Sequence, residues 1–211
     1  MRVVLEEECL RDGLQSENRL FSLSEKMEII RLLAEAGVRR LQVGSFVNPR
    51  SMPQVANTDV LVSLVRQQYP DVLCTALVLN ERGAERAVRC GLRHLSMSVS
   101  VSDSHSRKNC GSPAREALES MSELVHLATT EGISVRAGLM CAFGCTDEGI
   151  IAPEVVVDAA IRLAEAGAAE INLADTTGMA GPIQIRELVT RVGQALPQVA
   201  MFGDEGAANH N

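Results

Sequence analysis

Ala164-Glu165-Ala166-Gly167-Ala168-Ala169-Glu170-Ile171-Asn172-Leu173 repeats the Ala-Glu-Ala-Gly opening and the apolar pattern of an earlier stretch, Ala34-Glu35-Ala36-Gly37-Val38-Arg39-Arg40-Leu41-Gln42-Val43. Each reads as a helix end, a glycine and a short apolar strand. Looser copies run through Ala87-Val88-Arg89-Cys90-Gly91-Leu92-Arg93-His94-Leu95 and from Ala128 to Gly132, then Ile133-Ser134-Val135. A glycine at that point closes a helix in the left-handed region, where a Cβ is disfavoured. Four such joints predict repeated β/α units and a parallel sheet. Strands are expected near Val3 to Glu8, Arg40 to Gly44, Val72 to Leu77, His94 to Val99, Ser134 to Leu139, Glu170 to Ala174 and Val199 to Phe202. Helices fill the gaps. Ser22-Leu23-Ser24-Glu25 is a capping box, and Met27, Ile30 and Leu33 or Ala34 follow at helical spacing. Pro113 and Pro153 are expected in first helical turns.

Two architectures compete, an open doubly wound sheet and a closed barrel. No glycine-rich dinucleotide fingerprint follows any strand, which weakens the first. A complete (β/α)8 barrel takes about 250 residues. Six or seven strands in 211 residues stop short of eight. The expected fold is therefore α/β, a TIM-type (β/α)8 barrel that is incomplete in this chain. No linker or low-complexity stretch divides residues 1–211, so one domain is expected.

Composition removes several classes of function. Hydrophobic residues at 46% and charged residues at 22% exclude disorder. The net charge of −7 argues against nucleic acid and anionic membranes as partners. Aromatics at 2%, with no Trp, leave little to stack on bases or sugars. No run approaches a membrane span. The opening Met1-Arg2-Val3-Val4-Leu5-Glu6-Glu7-Glu8 carries acid too early for a signal or transit peptide, so a cytoplasmic location is expected. Six irregularly spaced cysteines suggest reduced thiols.

In a β/α barrel the chemistry sits at the C-terminal ends of the strands. The unusual polar groups collect there: Arg11-Asp12-Gly13-Leu14-Gln15, Gly44-Ser45-Phe46-Val47-Asn48-Pro49, the stretch from Ser100 to Asn109, Cys141 to Gly149, and Asp175-Thr176-Thr177-Gly178. Helix capping alone accounts for any one of these loops; five on one rim favour a site. Arg11-Asp12 has the sharpest chemistry. A carboxylate there suits a hard divalent cation, and the arginine suits a developing enolate. The plain alternative is a local ion pair. Cys141 and Cys145 lack the spacing of a zinc or redox motif and read as small apolar thiols under the rim. His105 sits in the polar Ser100 to Asn109 stretch, whereas His94 and His126 read as structural.

Arg11-Asp12-Gly13-Leu14-Gln15, with Glu7 before and Glu17 after, resembles the opening motif of the 3-hydroxy-3-methylglutaryl-CoA lyase family. The similarity continues through Glu35-Ala36-Gly37, Ser45-Phe46-Val47-Asn48-Pro49, Pro53-Gln54, Lys108-Asn109, Ser134-Val135-Arg136, Cys141-Ala142-Phe143-Gly144-Cys145 with Glu148-Gly149, and Asp175-Thr176-Thr177-Gly178. The family belongs to the metal-dependent lyase group that also holds isopropylmalate and homocitrate synthases. The resemblance implies a retro-Claisen cleavage to acetyl-CoA and acetoacetate, a step of leucine degradation and ketone-body formation, with Mg or Mn as cofactor. It implies Arg11 and Gln42 as catalytic positions and Asp12 as a metal ligand. It implies Gln15, Ser45, Asn109, Asp175 and Thr176 around the acyl-CoA substrate. A homodimer is the assembly to test.

Three departures stand out. The family carries Glu at the end of the second strand, where this chain has Gln42. Aligning Asp204 with the family's Asp puts Met201 and Gly203 where two metal-binding histidines belong; His210 follows at the wrong spacing. The chain also stops before an eighth strand and a later cysteine-bearing loop. These departures weigh against turnover by this chain alone. They keep open a related Claisen-type acyl-CoA synthase and a non-catalytic acyl-CoA-binding relative.

Overall fold

The computed structural model describes residues 4–204, with side chains for residues 4–201. The chain divides into two compact units, residues 1–96 and 97–211. In the first, helix α1 (Leu23–Glu35) precedes strand β1 (Arg40–Ser45), α2 (Thr58–Gln68) precedes β2 (Leu73–Leu77), and α3 (Glu81–Arg89) precedes β3 (His94–Ser100). The boundary falls inside β3. In the second, α4 (Asp103–Cys110) and α5 (Ala114–Thr130) precede β4 (Ser134–Met140). A small hairpin follows, β5 (Gly144–Cys145) and β6 (Gly149–Ile150). Then come α6 (Pro153–Glu165), β7 (Glu170–Ala174), α7 (Pro182–Ala195) and β8 (Ala200–Asp204).

The main sheet has six strands in the order β1-β2-β3-β4-β7-β8. The pairs β1–β2, β2–β3, β4–β7 and β7–β8 are parallel. Six parallel strands alternating with helices agree with the expected incomplete (β/α)8 barrel.

The four αβ joints share one geometry. Gly37, Gly91, Gly132 and Gly167 have φ of 93°, 83°, 74° and 106°. After each glycine the next amide reaches back to the carbonyl five residues earlier: Val38 to Leu33 and Ala168 to Leu163 at 3.0 Å, Leu92 to Ala87 and Ile133 to Ala128 at 3.1 Å. These are Schellman closures, and they turn each helix into its strand without a long loop.

The strands are buried on both faces, as parallel strands between helices require. One face is apolar: Leu41 and Val43 on β1, Ile171 and Leu173 on β7, each 1% exposed or less. The other face is polar. In register, Gln42 lies beside Thr75, Arg136 beside Glu170, and Gly138 beside Asn172. In the first unit a lower layer of that face joins Arg40 to Glu6 by an ion pair, Arg40 to His94 at 3.2 Å, and Thr75 to Glu6 at 2.9 Å.

Three expectations need correction. The first strand shrinks to one parallel bridge, Glu7 with Leu41. The Glu8 carbonyl accepts from the amides of Arg11 (2.9 Å) and Asp12 (2.8 Å), which winds the chain off the sheet into a π-turn, Cys9–Gly13. Val3 lies outside the described residues. Pro153 does open α6, but Pro113 is the N-cap of α5, one residue early, because Asp103 Oδ1 captures the Ala114 amide at 2.9 Å. The capping box at Ser22 and Glu25 is present, yet α1 buries Lys26 more deeply than Met27. Lys26 Nζ donates to the Gln54 carbonyl (2.6 Å) and Asn57 Oδ1 (2.7 Å), which replaces the water it loses. Burial holds its pKa below the ordinary value.

Candidate active site

The rim of the first unit is built around one guanidinium. Arg11 Nε donates to Gln42 Oε1, Nη1 to Asp12 Oδ1 at 2.5 Å, and Nη2 to Glu8 Oε2 at 2.6 Å. Gln42 Nε2 donates in turn to Glu8 Oε1 at 3.0 Å. The two partners dictate the amide's orientation, since only the oxygen can accept from arginine and only the nitrogen can donate to a carboxylate. Gln42 is fully buried on β1. Arg11 and Glu8 are 17% and 22% exposed, and Asp12 is 40% exposed. The π-turn brings Arg11 back over Glu8, and β1 supplies Gln42 from a distant part of the sequence. The ion-pair reading of Arg11-Asp12 is therefore realised, but within a four-residue clamp.

At the end of β1, Ser45 is buried, and its backbone amide donates to Thr58 Oγ1 at 3.3 Å. A Cβ on Gly44 would stand 2.4 Å from that oxygen, so the glycine is what admits Thr58. Ser45 Oγ is buried without a hydrogen-bond partner among the described residues. Gln15 is half-buried just after the π-turn.

The rim of the second unit is wired differently. Both oxygens of Asp175 accept backbone amides at 3.0 Å, from Met179 and Ala180. Thr176 Oγ1 accepts the Cys141 amide at 2.8 Å, and Thr177 Oγ1 donates to the Gly144 carbonyl at 3.1 Å. These bonds hold Cys141 at φ 57°, in the left-handed region that costs a non-glycine residue on the order of 1 kcal/mol. On α4, Ser102 caps the first turn through the His105 amide, and the Ser104 amide donates to Glu148 Oε1 at 2.5 Å. Asn109 is exposed in the last turn of α4, beside a Lys108–Asp147 ion pair at 2.6 Å.

Cys141 and Cys145 are both buried, as expected, but they are not equivalent. Burial pushes the Cys141 thiol up to about 11. Burial also raises Cys145, but the Ser102 and Ser104 hydroxyls and the amides of Asp147 and Glu148 outweigh it and bring the thiol down to about 7. The Ser104 amide likewise holds Glu148 below the usual carboxylate range. Burial, then nearby Lys108, lowers His105.

The clamp brings together Arg11, Asp12 and Gln42 from the expected site residues. Ser45 and Gln15 belong to the same unit; Asn109, Asp175 and Thr176 belong to the other. Glu8 is not among the expected site residues, although Glu6 and Glu8 stand two apart, a spacing that puts alternate residues of an extended segment on one face. Nor are the hydroxyls around Cys145, for which the serine-rich Ser100 to Ser106 is the available signal.

Among the described residues, no three His, Cys, Asp or Glu side chains come together as a metal site. Asp12, the ligand the resemblance implies, is held by Arg11. The described residues thus do not make up a divalent-cation shell for Mg or Mn. His210 and Asn211 lie outside the described residues, as does the side chain of Asp204.

Comparison with known proteins agrees with the motif reading. The HMGL-like family model matches residues 2–204. The chain is 36% identical over 200 residues to (R)-citramalyl-CoA lyase of Chloroflexus aurantiacus, covering 90% of this chain and 63% of that protein. It is 36% identical over 196 residues to hydroxymethylglutaryl-CoA lyase of Pseudomonas mevalonii, covering 92% and 64%. The crystal structure of hydroxymethylglutaryl-CoA lyase from Pseudomonas aeruginosa superposes with a TM-score of 0.89 at 30% identity, over 96% of this chain and 67% of that one. The chain thus spans just under two thirds of the length of the two curated relatives. With its opening Arg-Asp-Gly-Leu-Gln motif, its six-stranded parallel sheet and this match over nearly its whole length, the chain belongs to the HMGL-like family.

Proposed function

We propose that this chain acts in carbon–carbon cleavage of a 3-hydroxy-3-methyl-branched acyl-CoA, with hydroxymethylglutaryl-CoA as substrate. The single observation that carries the reading is the clamped guanidinium of Arg11. In the reaction a base takes the proton of the tertiary hydroxyl. The bond between C2 and C3 breaks, acetoacetate leaves, and the electron pair stays on C2 as the enolate of acetyl-CoA. Protonation at C2 completes acetyl-CoA. Negative charge gathers on the thioester oxygen, and a donor already fixed in place stabilises it without reorganising. Arg11 is that donor. Gln42 fixes its Nε, and Gln15 and Ser45 of the same unit are proposed to meet the substrate; for the second unit, the resemblance assigns Asn109, Asp175 and Thr176 to acyl-CoA binding. The unsatisfied Ser45 Oγ is suited to a substrate oxygen.

The two curated relatives named above are lyases of acyl-CoA thioesters that differ by one methylene, which supports an acyl-CoA substrate and leaves its length to experiment. The same reading takes residues 1–211 as one lyase-like domain, working in the cytoplasm as a homodimer, with no nucleic-acid or membrane partner. The acidic net charge supports it, and among the described residues no helix is long and apolar enough to cross a membrane. The test is product analysis by mass spectrometry with each thioester, Mg or Mn supplied. Acetyl-CoA with acetoacetate from hydroxymethylglutaryl-CoA is the expected result. Acetyl-CoA from citramalyl-CoA alone moves the assignment to the shorter acid, and none from either overturns the reading.

A further inference from the structure

Gln42 and Glu8 make best sense as one unit. A neutral amide at 42 cannot balance a guanidinium, and the resemblance places a carboxylate there. In this chain a carboxylate stands next to it instead: Glu8 lies 3.0 Å from Gln42 Nε2 and 2.6 Å from Arg11 Nη2. A Glu at 42 beside Glu8 and Asp12 would set three carboxylates against one arginine in a half-buried cluster, a costly arrangement. The amide at 42 and the acid at 8 are therefore matched choices. The exposures add a second point. Asp12 is the most open member of the clamp at 40%, against 22% for Glu8. When Asp12 swings towards another group, Nη2 and Nε stay held by Glu8 and Gln42, and the guanidinium keeps its aim.

We propose that Glu8 is the positioning carboxylate of this site, holding Arg11 through Nη2 and through Gln42. It takes over the charge that the resemblance assigns to position 42. The catalytic part of this inference rests on the lyase reading above; the clamp itself does not. Two readouts keep them apart. The first is turnover of hydroxymethylglutaryl-CoA by the parent chain, Glu8→Gln, Gln42→Glu and the exchanged pair Glu8→Gln/Gln42→Glu. Each single variant is expected to lose roughly tenfold or more in kcat with KM within about threefold, and the exchanged pair to recover most of it, because an orienting charge acts mainly as charge develops. The second is the rate at which the arginine reagent phenylglyoxal modifies Arg11, followed by peptide mass spectrometry. Glu8→Gln should raise that rate about fivefold or more and the exchanged pair should restore protection, since a paired guanidinium reacts slowly. If the parent shows no turnover while Arg11 protection follows this pattern, the clamp assignment stands and the lyase reading falls. If Glu8→Gln leaves Arg11 protection unchanged, or the exchanged pair protects no better than Glu8→Gln, the assignment of Glu8 is overturned.

Discussion

The two rims hold their polar groups by opposite means. In the first unit, side chains hold a side chain: Glu8, Asp12 and Gln42 all end on the Arg11 guanidinium. In the second, side chains hold the backbone: Asp175, Thr176 and Glu148 each accept main-chain amides. A charge fixed by other charges is suited to stabilising a developing anion. A loop fixed by hydroxyls and carboxylates keeps a shape. On the lyase reading the first rim carries the chemistry, and the second holds its own loop and sets the state of Cys145.

Breaking the first rim should have the largest effect. Arg11→Gln is expected to lower kcat about a hundredfold or more, as removal of a fixed donor to a developing oxyanion does. Steady-state assay of acetoacetate release checks it, and circular dichroism confirms that the fold persists.

The joints give a sharper contrast, because the same ten-residue pattern occurs in both units. Gly37→Ala and Gly167→Ala both force a Cβ into the left-handed region, at about 1 kcal/mol each. Nothing lies within 4 Å of a Cβ at 37, whereas one at 167 would stand 2.6 Å from Thr129 Oγ1. Thr129 Oγ1 donates to the Ala166 carbonyl, so moving it adds about another 1 kcal/mol. Urea denaturation should show the larger loss for Gly167→Ala; equal losses would refute the contrast.

A smaller effect is expected from pH. The Cys145 thiol falls from 9.0 in the unfolded chain to about 7 in the folded one. A lowered acid contributes stability that is fully present above its unfolded pKa and lost as pH falls through the folded one. Stability should thus rise between pH 7 and 9, and Cys145→Ser should remove the larger part of that rise, the remainder coming from Cys110, whose thiol the Ser106 and Ser112 hydroxyls also lower. Cys9, Cys74, Cys90 and Cys141, all raised from 9.0, act the other way and mainly above pH 9, outside that window. Denaturation midpoints at pH 7 and 9 for both proteins decide it.

The smallest effect belongs to Ser45→Ala. Its Oγ has no partner among the described residues, so stability should stay within about 0.5 kcal/mol. A rise in KM for the acyl-CoA without a change in stability would tie that hydroxyl to substrate.

What was legible in the sequence was local. The four glycine joints and the Ser22–Glu25 capping box follow from contacts within a few residues, and all are present in the fold. The Arg11-Asp12 motif and the loops after the strands were legible as a set. The clamp was not, because Arg11 meets Gln42 across 31 positions and Glu8 looked like one acid in a run of three. Lys26 escaped for a related reason: its two acceptors lie 28 and 31 residues away, and a lone lysine on an amphipathic helix reads as solvent-facing. The cysteine pair was placed correctly under the rim, but sequence spacing carries no record of the hydroxyls that lower only one thiol.

On the lyase reading, Arg11 stabilises the enolate of acetyl-CoA. By microscopic reversibility, a site that does so must also form that enolate from the product. Exchange of the acetyl-CoA methyl protons with deuterated water, with acetoacetate present and followed by mass spectrometry, measures this step directly. Exchange is expected with the parent chain, slowed about a hundredfold in Arg11→Gln and little changed in Ser104→Ala on the second rim. Exchange that is as fast in Arg11→Gln as in the parent would contradict it.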